Sequence, residues 1–316
     1  MACAGGSGRY LSLMPTRQGS IHLFRLAGVD VYLHWSWLVI AMLGIYYLHG
    51  SHQSVAVNAG GYLALFVIVL MHEMGHALAC RSVGGRADEI VLWPLGGVAY
   101  VAPPMRPGAT LWSIVAGPLV NVVLLAVFLG AIVVSVAFGW AETSPGLYQF
   151  LVMVAWINGG LLAFNVLPIY PLDGGQILRS LLWFVVGRAR SLMVTVIVGF
   201  VGLPLWFLYA WWQRSYWLAI LGLFILSNCW SGLQQAKALA RIGRLPRRSG
   251  YQCPSCETAP PLGEWWVCGH CGTRFDTFAT QATCPHCGAR FDQTRCLDCG
   301  ESHPMSDWMV PPPPAG

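Results

Sequence analysis

Residues 60–80 read GGYLALFVIVLMHEMGHALAC, an apolar run that ends in His72-Glu73-Met74-Gly75-His76. A transmembrane helix needs about 20 such residues. On a helix, two histidines four residues apart project from one face and can bind one metal ion, with the glutamate beside them as general base. Ionisable groups inside a span are costly and mark functional sites. A metal site is therefore favoured over histidines that are merely solvated at a helix end.

The composition predicts a membrane protein. Of 316 residues, 56% are hydrophobic and 10% charged, and the mean hydropathy is +0.57. Soluble domains are about 45–50% apolar and about 25% charged. These values exclude an ordinary cytosolic enzyme, a disordered chain and a fibrous chain. The net charge of +5 does not indicate nucleic-acid binding by the chain as a whole.

Six apolar runs predict a mainly α, polytopic fold of about six transmembrane helices. The runs lie near residues 35–48, 60–80, 111–138, 148–166, 191–211 and 215–233. The first is short for a span. The run 181–187 is shorter still and is predicted to continue a helix that starts after Asp173. Alternation of Val29, Val31 and Leu33 predicts a small hairpin at the membrane surface.

Arginine and lysine set the predicted orientation. Loops 49–59 and 139–147 contain neither residue, whereas the alternate loops and the region after 236 contain several. Positive charge is retained on the cytosolic side. Both termini are thus predicted to be cytosolic, in a multi-pass protein of the cell membrane, and residues 1–30 show no signal-peptide pattern.

A zinc hydrolase needs a third protein ligand and one open position for water. The soluble metzincin pattern is excluded, because Ala79 and Ser82 stand where it requires Gly and His. Two carboxylates remain, Glu89 and Asp173. Asp173 is favoured, because prolines and glycines break the helix around it, and broken backbone at membrane depth lines a cavity or is buried in protein. Capping the next helix is the alternative role for Asp173, and it is compatible with metal ligation.

These motifs resemble those of the site-2 protease family of intramembrane zinc metalloproteases. The resemblance rests on His72–His76 together with NVLPIYPLDGG at residues 165–175. Residues 94–98 also resemble the re-entrant hairpin of that family, and residues 116–121 resemble its small-residue motif on the following helix. The similarity covers roughly residues 20–235.

The resemblance implies a catalytic zinc ion held by His72, His76 and Asp173, with Glu73 activating water. It also implies a transmembrane protein substrate that is unwound at the cleaved bond. In the family, such cleavage releases a regulator or clears remnants, as in regulated intramembrane proteolysis.

Further residues are assigned supporting roles. The hairpin is expected to supply an edge strand to the extended substrate. Residues predicted to bind substrate or support the site are Asn165, Gly96 and Gly97. Gly117 and Asn121 are interpreted as helix-packing residues. His34 is interpreted as a hydrogen-bonding residue in an interfacial aromatic belt.

Residues 251–303 contain four Cys-x-x-Cys pairs and no apolar run, which predicts a small soluble module. The pairs are Cys253/Cys256, Cys268/Cys271, Cys284/Cys287 and Cys296/Cys299. Two such pairs complete one tetrahedral site, so eight cysteines predict two structural zinc ions. Pairing in sequence order is the prediction, with crossed and nested pairing left open. Reducing cytosol argues against disulfides, and rubredoxin-like iron is an alternative that no redox partner supports.

The module is interpreted as a double zinc ribbon that binds a cytosolic protein. Between residues 251 and 303 six acidic residues outnumber three arginines, which disfavours nucleic acid. The lone thiols Cys3, Cys80 and Cys229 are interpreted as packing residues.

These patterns divide the sequence into five predicted segments. They are a cytosolic segment at 1–30, a transmembrane metalloprotease domain at 31–236, a basic linker at 237–250, a double zinc-ribbon domain at 251–304 and a Pro-rich tail at 305–316. The alternative function is a non-catalytic membrane scaffold that recruits cytosolic partners through its ribbons. A metal transporter is disfavoured, because only Glu73 and Asp173 are credible intramembrane carboxylates.

Overall fold

The computed structural model describes residues 19–48, 55–93 and 96–310. Three predicted features therefore lie outside it in part: the N-terminal segment before residue 19, Pro94 and Leu95 of the hairpin, and the tail after residue 310. Within these ranges, 19–186 and 194–229 form one compact unit, the membrane unit. Residues 187–193 and 230–310 form a second, the ribbon unit.

Long apolar helices confirm the mainly α, multi-span prediction. The helices are α1 (Trp35–Leu48), α2 (Val55–Ser82), α3 (Pro107–Ala137), α4 (Trp140–Thr143), α5 (Pro145–Val166), α6 (Asp173–Val186), α7 (Arg188–Trp212) and α8 (Tyr216–Gly243). Five of those described are long and apolar enough to cross a membrane, namely α2, α3, α5, α7 and α8. The first predicted span, α1, is not one of these five, because it is too short. The 14 residues of α1 extend about 21 Å, short of a hydrocarbon core of about 30 Å.

The surface hairpin belongs to a larger sheet than its sequence suggests. Four strands occur in the order β1 (Ser20–Leu26), β2 (Val29–His34), β3 (Arg86–Trp93) and β4 (Gly96–Ala102). β1–β2 and β3–β4 are antiparallel pairs, whereas β2 and β3 run parallel, with Val31 opposite Ile90. Among the described residues, β4 has a strand partner on one side only, so it is an edge strand.

The sheet packs on α2 and fixes the position of that helix. Val29 and Val31 are fully buried, as the alternation predicted. They share one apolar core with Met74 and Ala77 of α2 and with Leu92 of β3. Burial of such side chains is worth about 1.5–3 kcal/mol each. The segment of α2 that bears the His-Glu-x-x-His motif is thus held against β2 and β3.

The ribbon unit contains two short hairpins around a small core. They are β5 (Trp266–Val267) with β6 (Arg274–Phe275), and β7 (Thr294–Arg295) with β8 (Ser302–His303). A 3₁₀ turn follows at Met305–Trp308. Buried Trp266, Phe278 and Trp308 lie in the same cluster as the cysteines, with Phe278 against both indoles at ring-centroid distances of 5.0–5.3 Å.

Candidate metal centres

Helix α2 carries three ionisable side chains into the interior of the membrane unit. His72, Glu73 and His76 are 3%, 7% and 7% exposed. The spacing of the histidines brings their Nε2 atoms to 3.1 Å from each other. Because isolated polar groups are costly in such surroundings, the three side chains need partners.

Asp173 provides the third side chain of this group. α5 ends at Val166, the chain is irregular to Leu172, and Asp173 is the first residue of α6. Its Oδ2 atom lies 3.0 Å from His72 Nε2 and 3.3 Å from His76 Nε2. The side chains of His72, His76 and Asp173 thus converge on one point. Glu89 does not belong to this group.

A chain of buried amides fixes the proton on His72. Asn158 Nδ2 donates to the backbone carbonyl of Asn121 at 2.8 Å, which leaves Asn158 Oδ1 to accept from Asn121 Nδ2 at 2.8 Å. Asn121 Oδ1 then faces His72 Nδ1 at 2.5 Å, so Nδ1 must be the donor. Both asparagines are fully buried. The proton on Nδ1 leaves the Nε2 lone pair of His72 for a ligand.

His76 is oriented in the same way by a different helix. Its Nδ1 donates to the backbone carbonyl of Ser113 on α3 at 2.8 Å, so its Nε2 also presents a lone pair. Asp173 Oδ2 is buried and lies within 3.3 Å of both Nε2 atoms. With both imidazoles neutral, three acceptor atoms thus face one another. Such an arrangement is repulsive unless a cation lies among the three atoms.

The donor set fits zinc. Two imidazole nitrogens and one carboxylate oxygen are the ligand types of catalytic zinc sites, which keep a fourth position open. Histidine ligands of metals also donate their second ring N–H to an oxygen acceptor, as His72 and His76 do here.

Gly117 and Asn121 on α3 do more than pack helices, which corrects the interpretation from sequence. Asn121 is the hydrogen-bond partner of His72. Gly117 lies against both imidazoles, and a methyl group there would overlap His76 and come within 2.9 Å of His72 Cε1. Asn158, which bonds to Asn121, was not predicted from the sequence. It is an amide inside an apolar span, so the burial argument applied to the histidines could have identified it.

Glu73 is held by strand β4. Its Oε2 accepts a hydrogen bond of 2.9 Å from the backbone N–H of Ala99. Gly97 of the same strand lies so close to Glu73 that any side chain there would overlap the carboxyl group. The structure therefore brings Gly97 beside the motif, as expected of a supporting residue, and it adds Ala99 to the site.

Two other predicted supporting residues lie further out. Gly96 is the first residue of β4 and lines an apolar cavity. Asn165 lies in the last turn of α5, and its side chain makes no hydrogen bond within the described part of the chain. The role of Asn165 stays a prediction. His34 bonds locally, with Nδ1 2.5 Å from Ser36 Oγ.

The eight ribbon cysteines form two groups of four. One group is Cys268, Cys271, Cys284 and Cys287; the other is Cys253, Cys256, Cys296 and Cys299. Sγ atoms within the groups lie 3.5–3.8 Å apart. The pairing is therefore nested, and the predicted sequential pairing is wrong. Four thiolates at such distances fit tetrahedral zinc.

Contacts between distant segments explain the nested order. Gln252 N–H donates to the carbonyl of Trp308 at 2.8 Å, and Tyr251 bridges Met309. The end of the ribbon thus returns to its beginning and brings the first and last cysteine pairs together. The sequence repeat between the two middle pairs shows that they are alike, but it carries no information about this closure.

Two arginines of the predicted linker pair with ribbon carboxylates. The Arg247 guanidinium makes a bidentate contact with Asp298, at 2.7 and 3.0 Å, and Arg248 lies 2.5 Å from Asp276. The hydrogen bonds that Arg247 donates to the Asp298 carboxylate raise the pKa of Arg247 above its usual value. Two of the six ribbon acids are therefore neutralised within the ribbon unit.

The knuckle turns yield a stability prediction. Gly272, Gly288 and Gly300 have φ of +74°, +71° and +85°, whereas Glu257 adopts +57° at the same place in the first knuckle. A left-handed conformation costs about 1–2 kcal/mol in a residue with a side chain. Glu257→Gly is expected to stabilise the zinc-loaded ribbon by about 1 kcal/mol, and Gly272→Ala to destabilise it similarly. Thermal unfolding of the two variants measures the difference, and equal midpoints would contradict the turn geometry.

Comparison with known proteins shows which proteins the membrane unit is similar to. The sequence profile of peptidase family M50 matches residues 60–144 and 133–209. Zinc metalloprotease MJ0392 of Methanocaldococcus jannaschii is 29% identical over 57% of this chain and 50% of its own length. Putative zinc metalloprotease Rip3 of Mycobacterium tuberculosis is 34% identical over 52% of this chain and 44% of its own length. The chain thus spans about half the length of these relatives.

A solved structure is also similar. The site-2 protease from Methanocaldococcus jannaschii has a TM-score of 0.51 and 27% identity, over 68% of this chain and 95% of that chain. The profile match includes His72, His76 and Asp173, whose side chains converge in the structure. The membrane unit is thus similar to peptidase family M50 and to a solved site-2 protease.

Proposed function

We propose that the chain is an intramembrane zinc metalloendopeptidase that cleaves transmembrane segments of other membrane proteins. The convergence of His72, His76 and Asp173 carries this proposal, since their three acceptor atoms need a cation. Glu73 lies beside them on the same buried turn of α2. A scaffold would not require a buried carboxylate next to a zinc ligand set.

Zinc, when bound, lowers the pKa of water toward about 7. Glu73 accepts the proton of the attacking water and passes it to the leaving amine. Its Oε2 is occupied by the Ala99 N–H, which leaves Oε1 for proton transfer. Asn121 and Ser113 keep the lone pairs of His72 and His76 on the ligand side.

The edge of β4 supports binding of an extended substrate. Ala99 N–H points to Glu73 rather than to β3, so residues 97, 99 and 101 turn their backbone groups away from β3, as alternation along a strand requires. Because Glu73 already takes the Ala99 N–H, a substrate strand would pair with the other backbone groups of this edge. A locally unwound transmembrane segment can add to this edge as a further strand. The peptide bond to be cleaved then lies beside Glu73.

Further parts of the proposal concern location and partners. The distribution of arginine supports a cell-membrane protein with both termini in the cytosol. The ribbon unit then lies in the cytosol, where zinc rather than disulfides stabilises small folds. We assign it the role of binding a cytosolic protein.

Zinc content tests the three proposed sites without a substrate. We expect about three zinc ions per full-length chain, about one after deletion of the ribbons, and about two in a His72→Ala/His76→Ala variant. Metal analysis of the purified proteins measures this series. The membrane site binds no zinc if the unmodified chain and the double histidine variant both hold two ions and the ribbon deletion holds none.

Cleavage tests the activity. The full-length protein in liposomes is given single-span peptides whose apolar segment contains a Gly-Pro pair, which favours unwinding. We expect cleavage inside the membrane segment, loss of cleavage after zinc chelation, and recovery when zinc is restored. Failure of the zinc-loaded protein to cleave any peptide of such a panel would favour the scaffold.

A further inference from the structure

The membrane unit contains an apolar cavity of about 160 Å³ that the proposed chemistry does not use. It lies among α1, α2, α5, α8 and the start of β4. Aromatic side chains supply much of its wall: Trp37, Tyr62, Trp93, Phe164 and Trp217. No charged side chain lines it among the described residues. A dry apolar cavity of about 150 Å³ is known to hold a benzene-sized group.

Two separate observations place the cavity next to the candidate site. Tyr62, Leu65 and Val69 line it from α2, and with Glu73 they follow the i, i+3, i+7, i+11 pattern of one helix face. Val69 is one turn, about 6 Å, from Glu73. On β4, the lining residue Gly96 directly precedes Gly97, which contacts Glu73.

We infer that this cavity receives a large apolar side chain of the membrane-spanning substrate, within about two residues of the cleaved bond. The inference rests on the proposed protease function and adds a specificity pocket to it. Side chains on the same face of an extended segment are about 6.6 Å apart. Glu73 and Val69 are about one helical turn, or about 6 Å, apart. A substrate with its cleaved bond at Glu73 can therefore place a nearby side chain of the same face at Val69. The volume suits the side chain of Phe or Leu.

Substrate preference tests the pocket. Once mass spectrometry has located the cleaved bond in a single-span peptide, each flanking position is changed in turn to Ala, Leu, Phe or Lys. One position is expected to prefer Phe or Leu over Ala by roughly tenfold or more in kcat/KM, as apolar pockets do. Lys there is expected to block cleavage, because a charge would be buried without a partner.

Filling the cavity should change that preference. Ala41 lines it from α1, and Ala41→Leu is expected to lower the ratio of Phe-peptide to Ala-peptide cleavage by about tenfold. The matched control is Ala126→Leu, the same change on the exposed surface of α3, which should leave the ratio unaltered. An unaltered ratio in Ala41→Leu would overturn the inference, as would equal effects of both variants.

Crosslinking separates failure of the pocket from failure of the protease function. A peptide with a diazirine analogue of leucine at the preferred position is irradiated with the Glu73→Gln variant in liposomes. Crosslinks are expected on the lining residues of α1 and α5, whether or not the peptide is cleaved by the unmodified protein. Cleavage accompanied by crosslinks outside these lining residues would overturn the pocket and leave the protease function intact. Cleavage while a lipid chain occupies the cavity and blocks crosslinking there would have the same meaning.

Discussion

Replacing Glu73 with Gln is expected to lower the rate of peptide cleavage by a factor of about 10²–10⁴, the usual contribution of a general base. Gln has nearly the same shape and can still accept the hydrogen bond from Ala99 N–H. It cannot take a proton from water at neutral pH. Single-turnover cleavage of a single-span peptide in liposomes measures the loss directly.

The metal must be measured in the same variant. Glu73 is not one of the three converging side chains, so Glu73→Gln should retain the membrane zinc. Glu89→Gln is the matched control, since Glu89 is a half-buried carboxylate on β3 that lies outside the group. It should keep both zinc and activity. Full activity in Glu73→Gln, or zinc loss in Glu89→Gln, would contradict the assigned roles.

The sequence predicted the parts of the site that a local motif encodes. His72, Glu73 and His76 share one helical turn, so their spacing alone determines that they share a face. Asp173 could be found because prolines and glycines in an apolar segment are a strong local signal. The resemblance to site-2 proteases also depends on such short motifs, and the family comparison confirmed it.

Contacts between distant segments could not be predicted in the same way. Asn158 lies 37 residues from Asn121, and Ala99 lies 26 residues from Glu73. The parallel pairing of β2 with β3 joins segments separated by the whole of α2. Periodicity indicates which face of an element is buried, but not which other element covers it. The nested cysteine pairing was missed for this reason too.

Gly117→Ala is expected to weaken zinc binding at the membrane site by at least about 10–100-fold and to lower the rate of cleavage with it. The added methyl group would overlap His76 and crowd His72 Cε1 at 2.9 Å. Zinc ligands tolerate displacements of only about 0.2 Å, and changes around metal ligands typically cost 10–100-fold in affinity. Chelator titration of the membrane zinc measures the loss, with circular dichroism to verify that the helices remain.

Gly130→Ala on the same helix is the matched control. Both glycines belong to α3, but nothing lies within 4 Å of a methyl group at Gly130. This change should keep zinc and activity, and alanine is the better helix former by about 1 kcal/mol. Comparing the two variants separates the effect of crowding the imidazoles from that of stiffening α3. If Gly117→Ala binds zinc as tightly as Gly130→Ala, the rings of His72 and His76 do not lie against α3 when the metal is bound.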